Sequence, residues 1–190
     1  VRVVVDEDDA DPQLGLLWGF RSRYYDSAAT AALSYQAGSL TPLDTAGTTT
    51  LSGAAGTVIR HGTLSTNWTP VLKTTILAGT TELTHRGSYR TWARCYSTAT
   101  VPPDVRFLYD VGDFVFPVEN DARSIPAANN FYWMNLGEIR IDPVPVGTHR
   151  WQGVIQAKGA SGGESVFVDK LDFQPLDDGA GMIQAVSSSD

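Results

Sequence analysis

From Thr57 onward the chain repeats one pattern: runs of about 7 to 11 residues in which apolar and polar side chains alternate. Each run is closed by Gly, Pro, Asn or Asp. Alternate side chains of an extended strand point to opposite faces, so a period of two describes a sheet with one face on a core. The runs cover residues 57–64, 68–77 (interrupted by Pro70), 88–98, 104–111, 131–141, 150–158 and 165–173. In the third, Tyr89, Thr91, Ala93 and Cys95 alternate with Arg90, Trp92, Arg94 and Tyr96; in the fourth, Val105, Phe107, Tyr109 and Val111 alternate with Arg106, Leu108 and Asp110. No helical period competes. Several such runs punctuated by turn residues specify an all-β domain, here a two-sheet antiparallel jelly-roll β-sandwich over residues 57–178.

Residues 1–56 read differently. A strand-prone start, Val1 to Val5, runs into the acidic cluster Asp6-Glu7-Asp8-Asp9-Ala10-Asp11, and residues 26–56 are rich in Ala, Ser, Thr and Gly. Large apolar side chains are sparse there and glycines frequent, so the segment is expected to be a loop-rich lead-in with one or two short strands, able to serve as an assembly arm. Residues 179–190 are expected to form a flexible tail.

The formal net charge of −7, with 14 Lys and Arg against 21 Asp and Glu, lacks the basic face that displaces counterions from phosphate, so nucleic acid is not an expected partner. No apolar run reaches the length of a membrane span, and no membrane insertion is expected. Cys95 is the only cysteine, which excludes an intrachain disulfide and a Cys-based metal site. His61, His85 and His149 have no zinc-type spacing. No nucleophile elbow, phosphate loop or dinucleotide turn is present. The stretch Gly159-Ala160-Ser161-Gly162-Gly163 reads as a hairpin loop between two strands. A hydrolase would need two carboxylates facing across a cleft, with Asp110 and Asp113 as candidates.

Two other features carry more. In the last run, period two puts Phe167, Asp169, Leu171 and Phe173 on one face. A carboxylate among large apolar side chains needs hydrogen-bond donors or a cation, so Asp169 is either tied to the backbone of a neighbouring loop or a ligand of calcium. The second feature is aromatic rings beside amide and guanidinium donors: Trp92 with Arg94, Trp133 with Asn135, and Trp151 after His149 and Arg150. Apolar sugar faces stack on such rings while hydroxyls meet the donors, so Trp92, Arg94, Trp133, Asn135 and Trp151 are the candidate ligand site, against the alternative that the rings are core.

Three segments carry a resemblance. They are Gly87-Ser88-Tyr89-Arg90-Thr91-Trp92-Ala93-Arg94; Trp133-Met134-Asn135-Leu136-Gly137-Glu138-Ile139-Arg140-Ile141 with the later Gly147-Thr148-His149-Arg150-Trp151; and Val168-Asp169-Lys170-Leu171 with Pro175. In this order they resemble the galactose-binding-like jelly rolls of carbohydrate-binding modules, and jelly rolls in minor structural or tail proteins of tailed bacteriophages. The resemblance implies a non-enzymatic domain. The first expectation is a virion component, associated with the phage tail or tail tip, that assembles with other virion proteins or copies of itself and adheres to host-surface glycans. The second is a carbohydrate-binding module of a larger secreted bacterial enzyme.

Overall fold

The computed structural model describes residues 33–75, 87–111, 117–141 and 151–176. The acidic cluster at 6–11, His85, Asp113, His149 and the 179–190 tail lie outside them. The described residues form strands β1 (Leu33–Gln36), β2 (Thr41–Pro42), β3 (Gly47–Thr50), β4 (Thr57–His61), β5 (Thr69–Thr75), β6 (Gly87–Tyr96), β7 (Asp104–Val111), β8 (Val118–Glu119), β9 (Arg123–Ser124), β10 (Phe131–Ile141), β11 (Trp151–Lys158) and β12 (Val166–Pro175), with one 3-10 turn at Ala37–Ser39. They make two antiparallel sheets packed as a β-sandwich. The first has the order β10-β6-β12-β4-β3, with β1 added on β12; the second has β2-β5-β11-β7-β8, with β9 added on β7.

The alternation determines which residues are buried. Tyr89, Ala93 and Cys95 from β6, Met134, Leu136 and Ile139 from β10, and Val166, Val168, Leu171 and Phe173 from β12 face Val105, Phe107, Tyr109, Ile155 and Ala157 of the second sheet. Phe107 and Phe173 meet edge to face across the gap at 5.7 Å. Gly153 lies under the Phe107 ring; a Cβ there would stand 2.1 Å from Cζ, so the ring occupies the volume a side chain would fill.

Three expectations are corrected. Residues 33–50 are not a lead-in: Leu33–Gln36 pairs with β12 and Gly47–Thr50 with β4, extending the first sheet, while Thr41 and Pro42 join β5 in the second. Short polar strands such as Gly47-Thr48-Thr49-Thr50 survive because pairing with an established strand, not burial of their own side chains, holds them. The Gly159–Gly163 stretch is not a hairpin loop, since β11 and β12 belong to different sheets. It crosses between them, tied down by Ser161 donating from N and Oγ to Glu164 Oε1, both at 2.8 Å, and by Gly163 N donating to the Leu64 carbonyl.

The third correction concerns β12. The register against β6 shifts between Val168 and Lys170, leaving Asp169 as the extra residue of a β-bulge. The bulge resets the alternation: Val166 and Val168 point inward before it, Leu171 and Phe173 after it. Phe167 and Asp169 are therefore on the outer side, not on the face of Leu171 and Phe173. A second bulge, between Asn135 and Glu138 of β10, is built on Gly137, whose φ of +92° suits glycine.

Candidate functional site

The outer face of the first sheet gathers the side chains of interest because β10, β6 and β12 are neighbours. In register across these strands, Phe131 lies opposite Tyr96 and Tyr96 opposite Phe167; Trp133 lies opposite Arg94 and Arg94 opposite Lys170; Asn135 lies opposite Trp92 and Trp92 opposite Asp172. The face is thus ordered in rows one strand-pair apart.

The first row is closed. The Tyr96 ring sits 5.1 Å from Phe131 and 5.5 Å from Phe167, and the Phe167 ring carries the Arg60 guanidinium at 5.5 Å. Phe167 is 7% exposed. Beside this row the Arg94 guanidinium stacks 4.2 Å above Phe131, and its Nη2 donates to the Gly53 carbonyl at 3.0 Å. Its Nη1 donates to Asp169 Oδ2. Asp169, 0% exposed, also accepts from Ala55 N at 3.1 and 3.2 Å and from Gln36 Nε2 at 3.0 Å. The carboxylate is thereby met by a guanidinium, a backbone amide and a side-chain amide. The loop reading of Asp169 describes these contacts, and the cation beside it is Arg94.

The next rows are open. Trp133 is 47% exposed, the most exposed aromatic ring among the described residues. With Trp92 and Asp172 it lines a shallow hollow. Trp92 is half-buried and its Nε1 donates to Gln174 Oε1 at 3.3 Å, which fixes the indole plane. Asp172 Oδ1 accepts from Ser34 Oγ at 2.6 Å. Asn135 Oδ1 accepts from Gly137 N at 3.0 Å, so the bulge orients that amide. At the far end Arg90 Nη2 pairs with Glu138 Oε1 at 3.0 Å.

Of the five candidate ligand residues, Trp92, Arg94, Trp133 and Asn135 come together on this face. Within it, Arg94 is committed to Asp169, Gly53 and Phe131. Trp151 is elsewhere: it belongs to β11 in the second sheet, packs against the core and lies 6.0 Å from the Tyr109 ring. Asp172, Gln174 and Ser34 were not singled out from the sequence. Alternation around Phe173 turns Asp172 outward, but only the β6–β12 pairing brings it to Trp92, and pairing between distant strands is not written locally. Asp110 sits on β7 of the second sheet, and no group of three or more His, Cys, Asp or Glu among the described residues could hold a metal ion.

On the inner side of the same strands, burial pushes the Cys95 thiol up to about 12, with the Asp169 carboxylate adding to the effect; burial also raises Tyr89 to about 12, helped by Tyr35. Cys95 is buried and protonated at neutral pH, an unreactive core thiol.

No family model and no curated relative matches the chain. Solved structures do. An insecticidal crystal protein, Cry2Aa, aligns with a TM-score of 0.52 at 13% identity, over 78% of this chain and 22% of that one. The isomalto-dextranase of Arthrobacter globiformis T6, complexed with panose, aligns with a TM-score of 0.50 at 13% identity, over 75% and 23%. The CBM36-1 domain of a multidomain xylanase from the hindgut metagenome of Trinervitermes trinervoides aligns at 0.47 and 14% identity, over 77% of this chain and 98% of that domain. The chain spans less than a quarter of the first two proteins. At such identities the first two likenesses speak to the fold alone, which in this chain is a two-sheet β-sandwich.

Proposed function

We propose that this domain is a non-catalytic carbohydrate-binding module, and that it binds a sugar on the outer face of the first sheet, over Trp133 and Trp92. The observation that carries this reading is Trp133 itself: a large ring left half in water beside a second indole, with carboxylate and amide groups at its margin. A pyranose offers the matching surface, an apolar face of C–H groups rimmed by hydroxyls. Trp92, held through Nε1 by Gln174, lines the hollow beside it; Asp172 accepts hydrogen bonds from hydroxyls, and Asn135 can donate from Nδ2. The isomalto-dextranase and the xylanase module are sugar-directed by name, and a domain of this shape within such a protein would hold the polymer rather than cleave it. A secreted, extracellular setting follows from this reading.

The virion reading has less to stand on. It drew on segment order, on the absence of catalytic motifs and on a lead-in and tail of non-globular composition, and Leu33–Gln36, Thr41–Pro42 and Gly47–Thr50 of that lead-in are strands paired within the two sheets. Binding to a panel of soluble oligosaccharides and insoluble polysaccharides tests the proposal. Saturable binding is expected, weakened at least about tenfold by Trp133→Ala, the loss typical of a central aromatic anchor. Failure of every glycan to bind would overturn it.

A further inference from the structure

The hollow has a charge as well as a shape. The charged side chain lining it is Asp172, together with the two indoles. Ser34 occupies Asp172 Oδ1, leaving Oδ2 without a hydrogen-bond partner among the described residues. Arg94 ought to compete for this space, since it stands between Trp133 and Lys170 in the register, on the strand from which Trp92 also projects. It does not line the hollow. Its guanidinium is turned toward the neighbouring row, stacked on Phe131 and bonded to Asp169 and Gly53. Arg90, beyond Trp92, is matched by Glu138. The two guanidinium groups nearest the indoles are thus each matched by a carboxylate. Lys170, two residues before Asp172 on the outer side of β12, does not line the hollow, and what faces a ligand is a carboxylate in company with two indoles.

Indole faces attract cations, and a carboxylate beside them adds to the attraction. We infer that the hollow takes a cationic sugar, an amino sugar with a free amine of the glucosamine type, its ring on Trp133 and its ammonium directed to Asp172. This rests on the sugar-binding reading above and goes beyond it in naming the ligand class. Asp169 is then a positioning residue: by holding Arg94 it keeps a competing cation out of the hollow.

The test is calorimetric titration of the full chain with a glucosamine oligomer and with its N-acetylated counterpart of the same length, at low and at moderate salt. The free-amine oligomer is expected to bind about tenfold tighter, equivalent to ~1.4 kcal/mol, the sum of an exposed charge contact and a cation–π contact. Salt should shrink that preference, because the charges are solvent-exposed. Asp172→Asn keeps the acceptor for Ser34 and should abolish the preference, the free-amine oligomer losing about tenfold more affinity than the acetylated one; Trp133→Ala should weaken both. Equal or tighter binding of the acetylated oligomer, or a preference that survives Asp172→Asn, would overturn the inference while sugar binding stands. Binding of neither oligomer, nor of any neutral glycan, would remove both.

Discussion

Two aromatic groups share the outer face of one sheet and behave oppositely. Phe131, Tyr96 and Phe167 form a chain of rings with Arg60 and Arg94 laid over its ends. Trp133 and Trp92, one row away, flank a hollow. The first group spends its faces and edges on intramolecular partners. The second does not: Trp133 remains 47% exposed, although Arg94 in the adjacent register position could have covered it. What separates them is the bulge at Asp169. The extra residue brings a carboxylate to the outer side, the carboxylate draws Arg94 toward Phe131, and the row below is left uncovered. An ion pair in one region thus determines the shape of the other.

The largest effect should come from cutting that link. Asp169→Ala removes a fully buried carboxylate from Arg94, itself 24% exposed at the side chain, and leaves Ala55 N short of an acceptor, while Gln36 Nε2 keeps the Asp169 and Thr57 carbonyls. Breaking a buried pair by deleting one partner costs about 3–5 kcal/mol, the low end suiting a pair with one partly exposed member. Urea unfolding of the two proteins measures it. A loss below about 1 kcal/mol would mean that the pair does not organise the closed group.

The two sides of β6 should part company in alkali. Arg90, Trp92, Arg94 and Tyr96 stand outside; inside, burial holds Cys95 and Tyr89 up at about 12 from ordinary values of 9.0 and 10.0. Above pH 9 the unfolded chain gives up the thiol proton and the folded chain keeps it. The unfolded state then binds fewer protons, so stability is whole below pH 9 and falls as pH rises toward 12. The slope for one such group is about 1.4 kcal/mol per pH unit. Cys95→Ala should flatten the part of the decline that begins at pH 9. A decline unchanged in the variant would move the cause from the inner side of β6 to another group.

Much of this arrangement was legible before any coordinates. The alternation in residues 88–98, 104–111 and 131–141 assigns Tyr89, Phe107 and Met134 to the core and Trp92, Arg94 and Trp133 to the other side, because period two is a property of the strand alone. The bulges were less legible. Gly137 is a single glycine inside a strand pattern, a recognised mark of a bulge, and could have been read as one. Asp169 offered only a carboxylate in an apolar alternation, which pointed first to hydrogen bonds from a neighbouring loop and second to a metal ligand, and to a bulge not at all. One or two short strands were expected before Thr57, but β1 to β3 could not be placed because Leu33-Ser34-Tyr35-Gln36 and Gly47-Thr48-Thr49-Thr50 are too short and too polar to show a period; they are strands by virtue of β12 and β4. Asp172 was invisible as a site residue for the same reason, since its neighbour Trp92 is set by a pairing between residues 80 apart.

The smallest effects discriminate best between the two groups. Phe131→Ala and Trp133→Ala each delete a ring from β10, two residues apart on one face. Phe131 is half-buried against Tyr96 and beneath Arg94, so its loss removes an aromatic pair and a cation–π contact, each worth about 0.5–1.5 kcal/mol. Unfolding free energy should fall by about 1–2 kcal/mol, and glycan affinity should change only as far as Arg94, freed on one side, swings toward the hollow. Trp133 has no such partners among the described residues, so its removal should move stability by no more than about 0.5 kcal/mol, the usual range for an exposed position. Affinity should bear the loss instead. If both variants lost stability equally and neither lost affinity, the two rows would be one structural surface, and the open ring an incidental exposure rather than a site.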